Sequence, residues 1–409
     1  MMTPSDSEYT RRKFLATAAT GLVSAGVLSL SPGAAAAQTS KEESSTASGR
    51  IVHRTLGRTG INLPVVSMGV MNAGNPEVVQ ASFELGVRHF DTAAYYQFGR
   101  NEQMVGSVIG RLGARNETII GTKILTPQQR TGLSYEALKA KTISSCEASL
   151  GRLKMEHVDI LYIHDVRDSA PLNDPGIIDG LTELKKQGKV RSTGVATHAA
   201  MADVINGVVA GGFFDVVLTA INFTMADDAN LLAAVRNAGE KGVGIVAMKT
   251  LAGGARWPNP ASRQDYTSST ITTAALKWVL RTEGVSTSIP GYTNYEHMRE
   301  DFSVAYDLEY TDEERSFLSD NSIRLGMGFC RQCRSCLAAC PDKVDIPGLM
   351  RTHMYAAQYG NLFEARATLD ALPAERGLKK CIDCSTCVAR CAHSVDIAGR
   401  IDELKTLYC

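Results

Sequence analysis

Neither sign of charge is in excess in this sequence. Lys and Arg number 43 against 43 Asp and Glu, and the balance is still 40 to 41 once residues 1–37 are set aside. That leaves no basic face for nucleic acid or for an anionic membrane surface. Aromatic residues make up only 6%, with two tryptophans, too few for a base-stacking platform. Beyond residue 30 no apolar run is long enough to span a bilayer. No G-x-G-x-x-G follows the first strand candidate, so the signature of an open dinucleotide-binding sheet is missing. Cysteine is also scarce before residue 330, where Cys146 reads as a small buried apolar side chain.

The chain does have an ordinary globular composition, 44% hydrophobic and 21% charged, over 409 residues. That length suggests two or three domains. At the N-terminus, Arg11, Arg12 and Lys13 precede an apolar run from Phe14 to Leu30, and Ala35-Ala36-Ala37 fits a small-residue cleavage site. The pattern T-R-R-K-F-L resembles a twin-arginine signal peptide over residues 1–37. It implies engagement of the twin-arginine export machinery, release in folded form to the periplasm, and no stable membrane span after cleavage. Residues 38–52 read as a disordered polar linker.

From residue 64 onward, short β-branched runs alternate with amphipathic segments. Strands are expected at 64–70, 87–93, 118–124, 158–165, 190–197, 216–222, 243–250 and 285–292, with helices such as 135–153 and 176–190 between them. Near-continuous apolar strands separated by helices mean parallel pairing buried on both faces. Eight such units point to an α/β fold, a (β/α)8 barrel over 53–322. Chemistry in such a barrel gathers at the C-terminal ends of the strands. Asp91, Lys123 and His164 lie there, with Tyr96 in the loop after the second strand. An acid, a phenol, a lysine and an imidazole from adjacent strands suit proton transfer to an oxygen. An ammonium beside the phenol lowers its pKa towards neutrality, and the carboxylate holds the ammonium charged.

The segments "HRTLGRTGINLPVVSMG" (53–69), "FDTAAYYQFGRNEQMVG" (90–106), "GTKI" (121–124) and "LYIHD" (161–165) resemble the motifs of the aldo–keto reductases. The resemblance implies that residues 53–69 close the barrel bottom with a hairpin. It also implies a catalytic tetrad of Asp91, Tyr96, Lys123 and His164, with a five-residue step selecting Tyr96 over Tyr95. The implied reaction is reduction of a small-molecule carbonyl substrate by NADP(H) or NAD(H), with Tyr96 as the general acid. The cofactor-binding positions fall on Ala196, Thr197, Asn222, Met248, Lys249, Leu251, Gly291, Tyr292, Thr293, His297, Glu300 and Asp301. Several depart from the family pattern. Ala196 and Thr197 stand where Ser-Asn is usual, Leu218 where a glutamine is usual, and Met248 where an aromatic stacks on the nicotinamide. Gly291 and His297 replace the lysine and arginine of the 2′-phosphate site. Loops 165–174 and 255–266, the latter with Trp257, are candidate walls of the substrate pocket.

Eight cysteines form the rows C330-x2-C333-x2-C336-x3-C340-P and C381-x2-C384-x2-C387-x3-C391-A. The spacing is that of bacterial ferredoxins, in which the fourth cysteine serves the other cluster. Zinc favours separated C-x2-C pairs, and neighbours three apart pair poorly as disulfides. Two [4Fe-4S] clusters are therefore expected, one on Cys330, Cys333, Cys336 and Cys391, the other on Cys381, Cys384, Cys387 and Cys340. The rows repeat with an offset of 51 residues, and the repeat continues from Val344-Asp345-Ile346 to Val395-Asp396-Ile397. Each half reads as a cluster loop entering a helix capped by Asp345 or Asp396. Residues 323–409 thus resemble a helical two-cluster ferredoxin. The expected function is an exported oxidoreductase with clusters for electron transfer and a possible redox partner protein. The alternative is an electron-transfer protein using the barrel as a docking or ligand-binding body.

Overall fold

Eight short strands, hydrogen-bonded in the order of the sequence, make the frame of the protein. The computed structural model describes residues 49–125, 133–253, 266–326, 328–384 and 386–409. The segment resembling a signal peptide, most of the polar linker and the loop with Trp257 lie outside these residues. A hairpin of β1 (His53–Thr55) and β2 (Asn62–Pro64) comes first. The parallel sheet then runs through β3 (Met68–Gly69), β4 (His89–Asp91), β5 (Ile119–Leu125), β6 (Val158–His164), β7 (Val190–Thr197), β8 (Val216–Ala220), β9 (Gly244–Met248) and β10 (Val285–Ser288). A parallel bridge between Val66 and Ser288 brings its two edges together. One helix follows each strand. These are α1 (Pro76–Leu85), α2 (Arg100–Leu112), α3 (Tyr135–Leu153), α4 (Pro175–Lys186), α5 (Met201–Gly211), α6 (Ala229–Glu240), α7 (Ser268–Arg281) and α8 (Tyr295–Ser303). The architecture is the (β/α)8 barrel read from the alternation of the sequence.

Successive strand residues point to opposite faces, and the sequence uses that period consistently. Ile160 and Tyr162 of β6, Val216 and Leu218 of β8, and Val246 and Met248 of β9 fill the barrel interior. Their neighbours Leu161, Ile163, Val217, Ile245 and Ala247 face outward into the core beneath the helices. Leu56, Ile61 and Leu63 from the hairpin close the interior from below. Ile51 and Val52, counted with the linker from sequence, pack against the core, and the Val52 N–H donates to Ala305 O at 2.8 Å. The polar linker therefore ends before them.

After the barrel, the chain forms α9 (Asp312–Ser319), α10 (Asn321–Gly326), α11 (Ile346–His353), α12 (Leu362–Asp370), α13 (Lys379–Ile382) and α14 (Ile397–Tyr408). A π turn, Met354–Gln358, continues α11. The 51-residue repeat is visible in the backbone. The Asp345 side chain accepts from Gly348 N at 3.2 Å at the start of α11, and Asp396 accepts from Gly399 N at 3.0 Å at the start of α14. Lys343 and Ser394, the equivalent loop residues, both have positive φ, 50° and 60°. Among the described residues no helix is long and apolar enough to cross a membrane.

The interior is filled so tightly that one methyl group decides its packing. A Cβ on Gly194 of β7 would lie 2.5 Å from the Tyr162 ring, whereas one on Gly110 of α2 would meet nothing within 4 Å. Gly194→Ala is expected to cost about 1–3 kcal/mol through overpacking. Gly110→Ala is expected to gain about 0.5–1 kcal/mol from the removed helix glycine. Circular-dichroism melts of the two variants should shift Tm in opposite directions.

Candidate functional site

The same period carries three charged or polar groups to the barrel mouth. Asp91 on β4, Lys123 on β5 and His164 on β6 continue the inward face of their strands, and all three are buried. Lys123 Nζ pairs with Asp91 and donates to Thr92 O at 2.7 Å. Tyr96 is held by the turn that follows β4. Gln97, Phe98 and Gly99 there have φ of 51°, 56° and 83°, a run of left-handed residues that turns Tyr96 inward and Phe98 outward. Asn101 and Glu102 fasten this turn. Thr92 Oγ1 donates to Asn101 Oδ1 at 2.7 Å, Asn101 Nδ2 to Val70 O at 2.8 Å, and Thr122 Oγ1 to Glu102 Oε1 at 2.6 Å. Tyr95, the neighbour set aside on spacing, stacks on His164 with ring centroids 4.7 Å apart, and Tyr96 meets that imidazole edge-on at 6.5 Å.

The protonation states differ in one respect from the sequence-based expectation. Lys123 Nζ lies over the Tyr96 ring, 5.0 Å from its centroid, rather than at the hydroxyl. Burial pushes the Tyr96 phenol well above its ordinary value, with Tyr95 and Asp91 adding to the effect. Lys123 does not offset that rise here. Burial raises Asp91 and lowers Lys123 while each opposes the other's shift. Burial first, and Lys123 second, bring His164 down to about 3, so the imidazole is neutral across the physiological range. The arrangement is a protonated phenol and a neutral imidazole, both able to donate or accept a hydrogen bond, next to a buried ion pair.

The C-terminal helices lie across this mouth. Arg351 of α11 binds Asp165, the residue after β6, at 2.9 Å, and Arg167 of the same loop reaches Asp345 at 2.9 Å. Lys249, just past β9, donates to the Tyr355 hydroxyl at 3.0 Å and lies 4.7 Å from that ring's centroid. Burial, then Arg351, pushes Lys249 down to about 7. Asn361 Nδ2 donates to Asn72 Oδ1 at 2.8 Å, and Phe363 stacks edge-on against Phe98 at 4.5 Å. The side chain of Glu364 is fully buried beside them. The loop 165–174, expected as a pocket wall, is thus a docking loop for these helices.

The thiols gather as the ferredoxin spacing implies. Cys330 has Cys391, Cys336 and Cys333 among its electrostatic neighbours, and Cys381 has Cys340, Cys387 and Cys384. Cys330, Cys333, Cys336 and Cys391 line one cavity. Cys340, Cys381, Cys384 and Cys387 line a second, which Cys391 borders. Two cavities, each walled by four thiols from both rows, suit iron–sulfur clusters. The residue after Cys330 anchors the first loop to the barrel, because Arg331 binds Asp227 at 2.6 Å and the Thr224 carbonyl. A narrow cleft between the two parts is lined by Cys330 and Gln332 on one side and by His198, Ala220 and Lys249 on the other.

The nucleotide positions are arranged differently. Ala196 and Leu218 face the interior without a polar group. Thr197 Oγ1 donates to Ala199 O at 2.8 Å. Asn222 is used on both sides, Nδ2 donating to Lys249 O at 3.2 Å and Oδ1 accepting from Thr224 N at 3.2 Å. Met248 belongs to the interior cluster, Leu251 packs at its margin on the outer core, and Lys249 faces Tyr355. His297 is held between Thr293 at 2.9 Å and Asn294 at 3.0 Å, while Tyr292 donates to Ser67 O at 2.9 Å. Gly291 lies against Gly69, and Glu300 and Asp301 lie on α8. These residues do not fit the carboxamide and 2′-phosphate grip that the resemblance implies. Their polar groups are absent or engaged within the chain.

Residues 72–265 match the model of the aldo/keto reductase family, and residues 329–395 match that of the 4Fe-4S dicluster domain. The chain carries an aldo/keto reductase domain followed by a 4Fe-4S dicluster domain. It is similar to L-galactose dehydrogenase of Arabidopsis thaliana, 27% identical over 305 residues, covering 66% of this chain and 93% of that protein. Aldo-keto reductase YhdN of Bacillus subtilis is 26% identical over 158 residues, covering 36% of this chain and 47% of that protein. Among solved structures, aldo-keto reductase AKR11C1 of Bacillus halodurans superposes with a TM-score of 0.54 at 20% identity, over 67% of this chain and all of the other. An aldo-keto reductase of Klebsiella pneumoniae in complex with NADPH gives 0.53 at 21% identity, over 66% of this chain and 94% of that one. At those identities the likeness is one of fold.

Sequence reasoning missed the contribution of the dicluster domain to the mouth. A signal was present, since Arg351, Tyr355 and Tyr359 recur at steps of four, one face of a helix, between the two cysteine rows. Arg351→Ala would leave Asp165 partly buried with only Arg167. The expected cost is about 3 kcal/mol, the lower end for a broken buried pair. Urea unfolding of the anaerobic holoprotein would measure it.

Proposed function

We propose that this oxidoreductase interconverts a small carbonyl compound and its alcohol at Tyr96, with electrons passing through the dicluster domain. The observation that carries this reading is the cleft shared by Cys330 and the barrel mouth, where the His198 ring lies 6.1 Å from that of His164. When bound, the clusters would each supply a one-electron centre. Reduction takes two electrons and two protons, one proton going to the oxygen from Tyr96 and one to the carbon from solvent at the mouth, and oxidation returns both. The chain's own residues handle binding and the proton. Tyr96, its proton held by burial, donates to the carbonyl oxygen in reduction and takes the proton back in oxidation. Neutral His164 orients that oxygen by a hydrogen bond. Asp91 keeps Lys123 charged under the Tyr96 ring, where the cation steadies the phenolate formed after transfer. No step is assigned to a nicotinamide, because the residues do not make its contacts. The Arabidopsis relative and D-threo-aldose 1-dehydrogenase of a Pseudomonas species, 23% identical over 219 residues, are named for sugar substrates. Polyhydroxylated aldehydes are therefore the first class to screen.

The N-terminal segment supports export in folded form to the periplasm by the twin-arginine route, where electrons would be exchanged with a redox partner protein. The second reading, an electron-transfer protein with the barrel as a docking body, is favoured by the engaged nucleotide positions. One set of measurements separates them. The anaerobic holoprotein is titrated with NADPH and NADH by nucleotide fluorescence, then assayed with dithionite-reduced methyl viologen and DL-glyceraldehyde. The expected result is no micromolar nucleotide binding, and dye-driven turnover that Tyr96→Phe lowers by about 10²-fold or more. Micromolar binding with nucleotide-driven turnover would return the chemistry to hydride transfer. Full turnover in Tyr96→Phe would leave only the docking reading. Iron should be on the order of eight atoms per chain. Cys391→Ser, although in the second row, should remove the cluster held by the first.

A further inference from the structure

The dicluster domain places one more acid against the tetrad. Glu364 lies in the first turn of α12, and its N–H is held by Asn361 Oδ1 at 3.0 Å while Asn361 itself is bonded to Asn72 of the barrel. The side chain is fully buried, and neither carboxyl oxygen has a hydrogen-bond partner. The Gln97 N–H, in the turn that carries Tyr96, faces this carboxyl and favours its anion, against the larger effect of burial. Tyr95 and Tyr96 both have Glu364 among their electrostatic neighbours. The other groups facing this pocket are Lys123 from β5, Lys249 from the end of β9, Asp165 after β6, Arg351 of α11 and Tyr355 of the π turn. None of the cations makes an ion pair with Glu364, since Lys123 is paired to Asp91 and Arg351 to Asp165, while Lys249 bonds the Tyr355 hydroxyl.

A buried carboxyl without a hydrogen bond or an ion pair is expensive as an anion and is kept protonated by its surroundings. An orphaned acid of this kind calls for an explanation in function or in an unseen partner. We infer that Glu364 is the proton reservoir of the tyrosine pair, handing its proton to Tyr96 after Tyr96 has protonated the substrate oxygen. In that step the carboxyl O–H breaks, the phenol O–H re-forms, and no electrons move; solvent restores the carboxyl proton when the mouth opens. Burial brings the acid up to about 7, so its proton is available near neutrality. The dicluster domain would then deliver the proton as well as the electrons. This inference rests on Tyr96 being the acid of the proposed reaction.

The test uses the anaerobic holoprotein and needs no substrate for its first part. In pH-difference infrared spectra the wild type should lose a protonated-carboxyl band through neutral pH, with a simultaneous shift of a tyrosine ring mode. Glu364→Gln should lack both, and Tyr96→Phe should lose the tyrosine component. In the viologen assay with DL-glyceraldehyde, wild-type turnover should fall above neutral pH. Glu364→Gln should be slower by on the order of tenfold at pH 6 and should lose that limb of the profile. Absence of the carboxyl band, or a band that titrates without moving any tyrosine mode, would overturn the inference. So would an unchanged pH profile in Glu364→Gln beside an inactive Tyr96→Phe. Full activity in Tyr96→Phe would instead overturn the proposed reaction, while the infrared result still decides whether Glu364 and the tyrosines share a proton. Stability supplies a control. An acid raised from its ordinary value stabilises fully below about pH 4.5 and loses that contribution by about pH 7. Glu364→Gln should therefore flatten the fall of Tm across that window, with retained cluster absorbance showing that the variant folds.

Discussion

One carboxylate, Asp165, keeps two parts of the chain in register. It stands at the end of β6 with a positive φ of 54°, and it accepts from Arg351 of the dicluster domain and from Arg167 of its own loop. Arg167 passes the contact on to Asp345, the cap of α11. Pairs of this kind, largely withdrawn from water, give little net stability but strongly oppose any arrangement that separates them. With α11 set by that junction, the π turn brings Tyr355 onto Lys249, and α12 brings Glu364 over the tyrosines. The position of Cys330 follows from the parallel anchor of Arg331 on the loop after β8. The site is therefore a property of the join and not of the barrel alone.

The parts visible in the sequence were those with a local period. The alternation of strands with helices put Asp91, Lys123 and His164 at the C-terminal ends of neighbouring strands, and hence at one mouth. The cysteine rows were legible because a cluster needs thiolates at fixed steps, and the caps Asp345 and Asp396 because a helix start has its own short-range chemistry. The contact of Arg351 with Asp165 spans 186 residues, and the four-residue step of Arg351, Tyr355 and Tyr359 marks a helix face without showing what it meets. The state of Tyr96 was misread for a related reason. Which face of a ring an ammonium occupies depends on the turn at Gln97–Gly99, and burial then outweighs the ammonium.

The two halves of the internal repeat have been put to different uses. They share a cap, a left-handed loop residue and a thiol row, yet Asp345 also binds the barrel through Arg167 while Asp396 caps α14. Cys330 of the first row lines the barrel cleft, while the second row lines the larger cavity together with Cys340. A duplicated unit thus provides one thiol set with a member at the barrel cleft and one whose lining holds no barrel residue.

The crossing of Cys391 into the first thiol set has a consequence for biosynthesis. A chain leaving the ribosome presents the barrel first, and at roughly 5–20 residues per second the remainder needs several more seconds to appear. Until Cys391 has emerged the first thiol set lacks its fourth member, and until α14 has followed α11 lacks that neighbour. The nascent barrel must wait with its mouth uncovered. The mouth is covered only after the dicluster domain has followed the barrel into the fold.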